Sequence, residues 1–174
     1  LLYSASPWGE RIQLAFTEHW QRLGGLIVSQ QIYNEAEVDF SEPIKRLLNI
    51  NESERRRSLL ESRIGQKLRF EVRARRDIDF IFLAADVRRG RLIKPQINFY
   101  RARNVPVYAT SHIYSGRADP LHDTDLDGVI FGDMPWMLVT DGAIGRLRQS
   151  LRGDAIPASG ELDRLYALGV DSYA

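Results

Sequence analysis

The chain has 174 residues, 44% apolar and 27% charged, a balance that suits one globular domain or one lobe of a larger domain with a tail. It contains no Cys, which excludes disulfides, thiolate metal sites and a Cys nucleophile, and no apolar run approaches the roughly 20 residues of a membrane span. The net charge of +1 hides a split, because residues 1–118 hold 20 Lys/Arg against 13 Asp/Glu and residues 119–174 hold 4 against 10; such a division marks a basic partner-binding face or two segments that dock on one another.

Leu1-Leu2-Tyr3 reads as a buried strand with no initiator Met or signal peptide before it, so the expectation is a piece of a longer protein. Ser6 can cap a helix with Pro7 at its first position. Ile12, Ala15, Phe16, Trp20 and Leu23 then form a stripe facing a sheet, and Gly24-Gly25 ends that helix. A second strand is expected from Leu26-Ile27-Val28 to near Tyr33, parallel to the first through a right-handed crossover. Ser41 is expected to cap a helix over 42–48, with Pro43 in its first turn, and an Arg/Glu-rich helix follows over 51–65.

Residues 77–85 give the clearest strand, and its continuous apolar run of five or more residues implies burial on both faces. A helix is predicted over 86–100, with Val87, Leu92, Ile93, Ile97 and Tyr100 as its apolar set. Strands are expected at 105–110 and 128–131, a turn at Met134-Pro135-Trp136, and a helix near 142–151. A loop at 157–160 and a last helix over 161–168, stopped by Gly169, complete the chain. This alternation specifies an α/β fold with a three-layer, open parallel sheet. Ligands on such sheets sit at the carboxyl ends of strands, here loops 4–9, 84–89 and 110–116.

The usual reactive motifs are missing. Neither G-x-G-x-x-G nor G-x-x-x-x-G-K-[ST] occurs, so the standard phosphate cradles are absent. Of the three His, His19 lies mid-helix and reads as structural. His112 follows a strand beside Ser111, but adjacent residues diverge and no G-x-S-x-G elbow precedes them, so it reads as a hydrogen-bonding group. His122 stands among Asp119, Asp123, Asp125 and Asp127 without the EF-hand pattern; a solvated loop is the reading. No catalytic residue, cofactor or metal is assigned. The Arg groups 55–57, 73–76 and 88–91, with Arg101 and Arg103, form no continuous stripe, because the strand holds the last two runs about 20 Å apart. Nucleic acid is therefore not expected as a partner.

Several runs resemble a known family. Tyr3-Ser4-Ala5-Ser6-Pro7-Trp8-Gly9, Arg75-Arg76-Asp77-Ile78-Asp79-Phe80-Ile81-Phe82-Leu83-Ala84, Arg91-Leu92-Ile93-Lys94-Pro95, Tyr108-Ala109-Thr110-Ser111-His112-Ile113-Tyr114-Ser115-Gly116, Leu126-Asp127-Gly128-Val129, Asp133-Met134-Pro135-Trp136 and Arg164-Leu165-Tyr166-Ala167-Leu168-Gly169-Val170-Asp171 are similar to the carboxyl-terminal domain of the LpoA/LppC lipoproteins. The resemblance spans almost the whole chain. It implies one lobe of a type I periplasmic-binding-protein-like fold over residues 1–131. Residues 132–174 would then cross back toward an amino-terminal lobe that is mostly absent. It also implies a periplasmic setting at the outer membrane, with a lipid anchor outside this fragment. The implied role is non-enzymatic: stimulating peptidoglycan synthesis by contact with a class A penicillin-binding protein.

Position in that fold nominates a cleft of Ser4, Ser6, Pro7, Trp8, Ala85, Asp86, Arg89, Ser111, His112 and Tyr114, suited to a small polar ligand or a peptide. Peptidoglycan fragments are a further candidate partner. The alternative to the activator reading is a periplasmic solute-binding or sensory module using the same cleft. An enzyme centred on Ser111 and His112 stands third.

Overall fold

The computed structural model describes residues 1–67, 74–100, 102–154 and 162–172. Its elements run β1 (Leu2–Ser4), α1 (Pro7–Arg22), β2 (Gln31–Tyr33), α2 (Ser41–Leu47), α3 (Ile50–Ile64), β3 (Ile81–Ala84), α4 (Val87–Phe99), β4 (Val107–Ala109), β5 (Val129–Phe131), α5 (Pro135–Leu138), α6 (Gly142–Asp154) and α7 (Leu162–Asp171). Arg73, Arg101, the 157–160 loop and Glu161 lie outside the described residues.

The five strands form one sheet in the order β2-β1-β3-β4-β5. Every pairing is parallel, with Leu2 opposite Gln31 and Leu83, and Val107 opposite Ile81 and Val129. One face carries Leu2, Tyr33, Ile81, Leu83, Val107 and Ala109 and joins Phe40, Ile44, Ile93 and Ile97 from α2 and α4 in the core. On the other face Phe16 of α1 stacks on Phe82 at 4.0 Å, and Trp20 meets Phe80 edge-on at 5.2 Å. The three layers are thus helix, sheet, helix.

Local chemistry sets the helix starts. Ser6 accepts from the Gly9 amide at 3.2 Å and Pro7 occupies the first turn. Asp86 does the same for α4, accepting from the Arg89 amide at 2.8 Å. Gly9 sits against the backbone of β1, where a Cβ would lie 2.2 Å from the Ser4 carbonyl oxygen, so only glycine lets α1 approach so closely.

Several expectations are corrected. Only 31–33 of the predicted 26–33 strand pairs, because β1 offers three residues of ladder; Leu26 is 82% exposed. The 77–85 strand shrinks to 81–84, where the short β1 and β4 offer partners; ahead of it Asp77 is held by Arg75 through two 2.7 Å bonds. The strand's burial is complete on the face of Ile81 and Leu83, whereas on the other face Phe80 and Phe82 are half-buried and only Ala84 is fully covered. The outer strands likewise shorten to 107–109 and 129–131. Ser41 is the first residue of α2 and not its cap; Asp39 accepts from the Ser41 amide at 2.9 Å. On α4 the buried face is Gly90, Ile93, Lys94 and Ile97, while Leu92 is exposed. That spacing is helical, but two of its members are not apolar. On α1, Ala15 and Leu23 also face outward. Met134-Pro135-Trp136 leads into the four-residue helix α5, and α7 runs through Gly169 to Asp171.

Ile97, fully buried between α4 and the sheet, should cost about 2–5 kcal/mol when cut to Ala. Ile32, on the other face and half exposed, should cost under about 1 kcal/mol. Urea denaturation of the two variants measures the difference.

Candidate functional site

Because all strands point the same way, their carboxyl ends share one rim, built from the segments after β1, β2, β3 and β4. Ser4 closes β1 fully buried, its Oγ 2.8 Å from Ser6 Oγ. Pro7 is exposed and Trp8 half-buried. Trp8 lies with its ring centroid 4.8 Å from that of His112 at a 51° tilt. After β3, Ala85 is buried in the core and presents nothing to the rim, whereas Asp86 and Arg89 are half-buried. Ser111 opens a 3-10 turn, Ser111–Ile113, which places exposed His112 outward. Tyr114 turns inward, its ring 5.6 Å from Phe131. The rim therefore gathers Ser6, Trp8 and His112 into one corner and Asp86 and Arg89 into a second.

Electrostatically, the second corner is satisfied within the chain. Arg89 pairs with Asp86 and donates to the Glu35 carbonyl at 3.2 Å, with the Glu35 carboxylate 3.9 Å away. The Asp86 hydrogen bond raises the Arg89 guanidinium further above its ordinary value. Beneath it Tyr33 donates to the Ala84 carbonyl at 2.9 Å; burial, then the charges of Asp86 and Glu35, push its phenol up. Tyr33 is thus a neutral donor.

The tail fastens the third part of the rim. Arg164 on α7 donates to the carbonyls of Ser111 at 2.8 Å and Tyr114 at 3.1 Å, and pairs with Asp133 at 2.5 Å. Its neighbour Asp163 acts through Arg148 of α6, which reaches Asp163 and the Gly116 carbonyl, each at 3.1 Å. Gly116 has φ +84°, and a Cβ there would meet Met137 Cε at 2.4 Å, so the loop's exit requires glycine. The acidic loop behaves similarly: Arg91 takes Asp123 at 2.8 Å and Asp119 at 3.4 Å, and His122 bonds Asp119 at 2.8 Å. Among the described residues no cluster of His and acids is arranged for a metal.

Four rim groups escaped sequence reasoning: Tyr33, Glu35, Asp133 and Arg164. Asp133 and Arg164 lie 31 residues apart, and Arg164 is 53 from Ser111, separations that no local spacing rule reaches.

Arg164→Lys should loosen this fastening although charge is kept, because a shorter side chain ending in a single ammonium loses the planar grip of Nε and Nη2 on the two Asp133 oxygens while it reaches for the carbonyls. The variant should melt several degrees lower, consistent with a loss of about 1–3 kcal/mol. Arg22→Lys, in the exposed pair with Glu18, should leave the melting temperature unchanged in the same thermal scan.

The chain matches the family described as "LppC putative lipoprotein" over residues 2–174. It is 30% identical over 176 residues to the penicillin-binding protein activator LpoA of Photobacterium profundum, covering 99% of this chain and 28% of that protein. The same-named protein of Vibrio antiquarius is 27% identical, with equal coverage. The chain thus spans 28% of the length of these curated relatives. Among solved structures, full-length LpoA from Haemophilus influenzae superposes with a TM-score of 0.61 at 19% identity, covering 99% of this chain and 26% of that one. A substrate-binding periplasmic protein from Ralstonia solanacearum gives 0.51 at 16% identity, covering 91% of this chain and 39% of that one. Both are likenesses of fold. By the match over residues 2–174, the chain belongs to the LppC lipoprotein family.

Proposed function

We propose that this chain is a non-enzymatic part of an activator of a class A penicillin-binding protein, acting by protein–protein contact on the periplasmic side of the outer membrane. The observation that carries the reading is the match of relatives named penicillin-binding protein activators across 99% of this chain. The rim's chemistry is compatible with it. Asp86, Arg89, Asp133 and Arg164 are bound to one another or to backbone, so their charge serves folding rather than bond chemistry. Residues 1–131 would form one lobe and 132–174 the return toward a second, with the lipid anchor outside this sequence. No helix among the described residues is long and apolar enough to cross a membrane, so attachment would rest on that anchor.

A second reading is favoured by one specific pair of observations. The fold is shared with a substrate-binding periplasmic protein, and Trp8 and His112 form an aromatic corner at the rim. In that case Ser6, Trp8, Asp86, Arg89, Ser111 and His112 would touch a small polar ligand such as a peptidoglycan fragment.

The full-length protein, mixed with a purified class A penicillin-binding protein, should co-purify with it and raise its glycan-polymerisation rate. Absence of both contact and stimulation contradicts the activator reading. In a thermal-shift screen of amino acids, sugars and muropeptides, a rise of several degrees with Trp8→Ala abolishing it would establish the second reading.

A further inference from the structure

Helix α4 carries apolar residues on the side where a surface helix is normally polar. Gly90, Ile93, Lys94 and Ile97 are its buried face. At about 100° per residue, Leu92, Pro95 and Phe99 fall together on the opposite side. All three are exposed, Leu92 at 41% and Phe99 at 76%. Single exposed leucines are ordinary, but three apolar groups in one row along about 10 Å of helix form a patch. Val38, 71% exposed, widens it, because its carbonyl accepts from Gln96 Nε2 at 3.1 Å on the flank of α4.

Cations bracket this patch. Arg88, one turn before Leu92 on the same side of α4, is exposed, and so is Arg103, just beyond the helix's carboxyl end. Neither is paired with a carboxylate among the described residues. Asp127 lies across the hollow that Arg103 and Lys94 line, so that end of α4 holds two cations to one acid. Lys45 sits 5.8 Å above the ring of Tyr100, which meets Phe99 edge-on at 5.2 Å. The acids on either side of Val38 in sequence are already engaged: Asp39 accepts from the Ser41 amide at 2.9 Å and Glu37 from Asn34 at 3.4 Å. An apolar row between free guanidinium groups fits a surface of the opposite pattern, apolar side chains set between carboxylates. A second copy of this chain fits badly. Across a twofold axis, α4 against α4 brings Arg88 to face either Arg103 or another Arg88, cation on cation in both arrangements.

Resting on the activator reading above, we propose that this outward face of α4 is where the penicillin-binding protein docks, through a part of its surface that sets apolar side chains between carboxylates. Leu92 and Phe99 supply the area that loses water on contact. Pro95 adds a rigid apolar wall with almost no rotamer freedom to lose. Arg88 and Arg103 steer the approach and fix its register. None of these residues belongs to the rim corner of Trp8 and His112.

Surface plasmon resonance between the full-length protein and a purified class A penicillin-binding protein tests this. Leu92→Ser/Phe99→Ser should bind at least about tenfold more weakly, with an unchanged melting temperature because both side chains are exposed. Arg88→Glu/Arg103→Glu should slow association at least about fivefold and flatten its dependence on salt. Leu14→Ser, which removes an exposed leucine from α1, should bind as wild type does. Equal affinity of wild type and Leu92→Ser/Phe99→Ser overturns this proposal alone, whereas wild-type protein that neither binds nor stimulates the synthase defeats the activator reading with it. A dimer of the full-length protein in sedimentation, or its capture by phosphatidylglycerol vesicles, that the same double substitution abolishes would give the face to a second copy or to a membrane and overturn the proposal.

Discussion

A parallel strand cannot return through a hairpin, so each of the four pairings in this sheet forces the chain to cross from one end to the other before the next strand begins. That constraint places Ser4, Tyr33, Ala84 and Ala109, the last residues of the first four strands, on one edge. The segments that follow them lie side by side however far apart they stand in sequence. Ser6, Trp8, Glu35, Asp86, Arg89 and His112 are neighbours for this reason alone. The strands are only three or four residues long, so the ladder itself contributes few hydrogen bonds. The largest set of fully buried side chains lies on the apolar face that α2 and α4 cover.

The rim so assembled is closed by guanidinium groups acting on backbone carbonyls. Arg164 and Arg148 each use Nη2 both for a carboxylate and for loop carbonyls. Arg89 divides the same two tasks, Nη1 on Asp86 and Nη2 on the Glu35 carbonyl. In a half-buried setting an arginine donor paired in this way is worth more as an anchor than as a reagent. The charge split between the two parts of the chain has its physical meaning here. Asp119 and Asp123 cross it to Arg91, while Asp133 and Asp163 are taken up by the tail's own arginines.

Much of this was legible from the residues in order. Ser6-Pro7 and Gly24-Gly25 bounded α1, and the run of β-branched and aromatic residues at 78–83 announced β3, because capping and apolar runs are local physics. Element ends were less legible. The ladder stops where the partner strand stops, and Leu26 or Asp77 cannot signal how short β1 is. Leu92 and Lys94 show a second limit: position on the helix decides burial, so Lys94 lies under the surface with its amine on Asn98 at 2.7 Å while Leu92 faces water. At the rim, Trp8, Asp86 and His112 could be nominated from strand ends. Arg164 and Asp133 stood in the runs that carry the family resemblance, yet nothing in their spacing revealed that they grip the loop after β4.

The central physical claim is that the loop over 111–116 and helix α7 are one mechanical unit, locked by Arg164 and by the Arg148–Asp163 pair. Amide hydrogen exchange of the full-length protein measures this most directly. The account predicts that amides of residues 111–116 and 163–171 exchange with a common opening free energy, well above that of the exposed loop at Asn34–Glu37. If 111–116 exchange as fast as that loop while 163–171 remain protected, the rim is not held by the tail and the account fails.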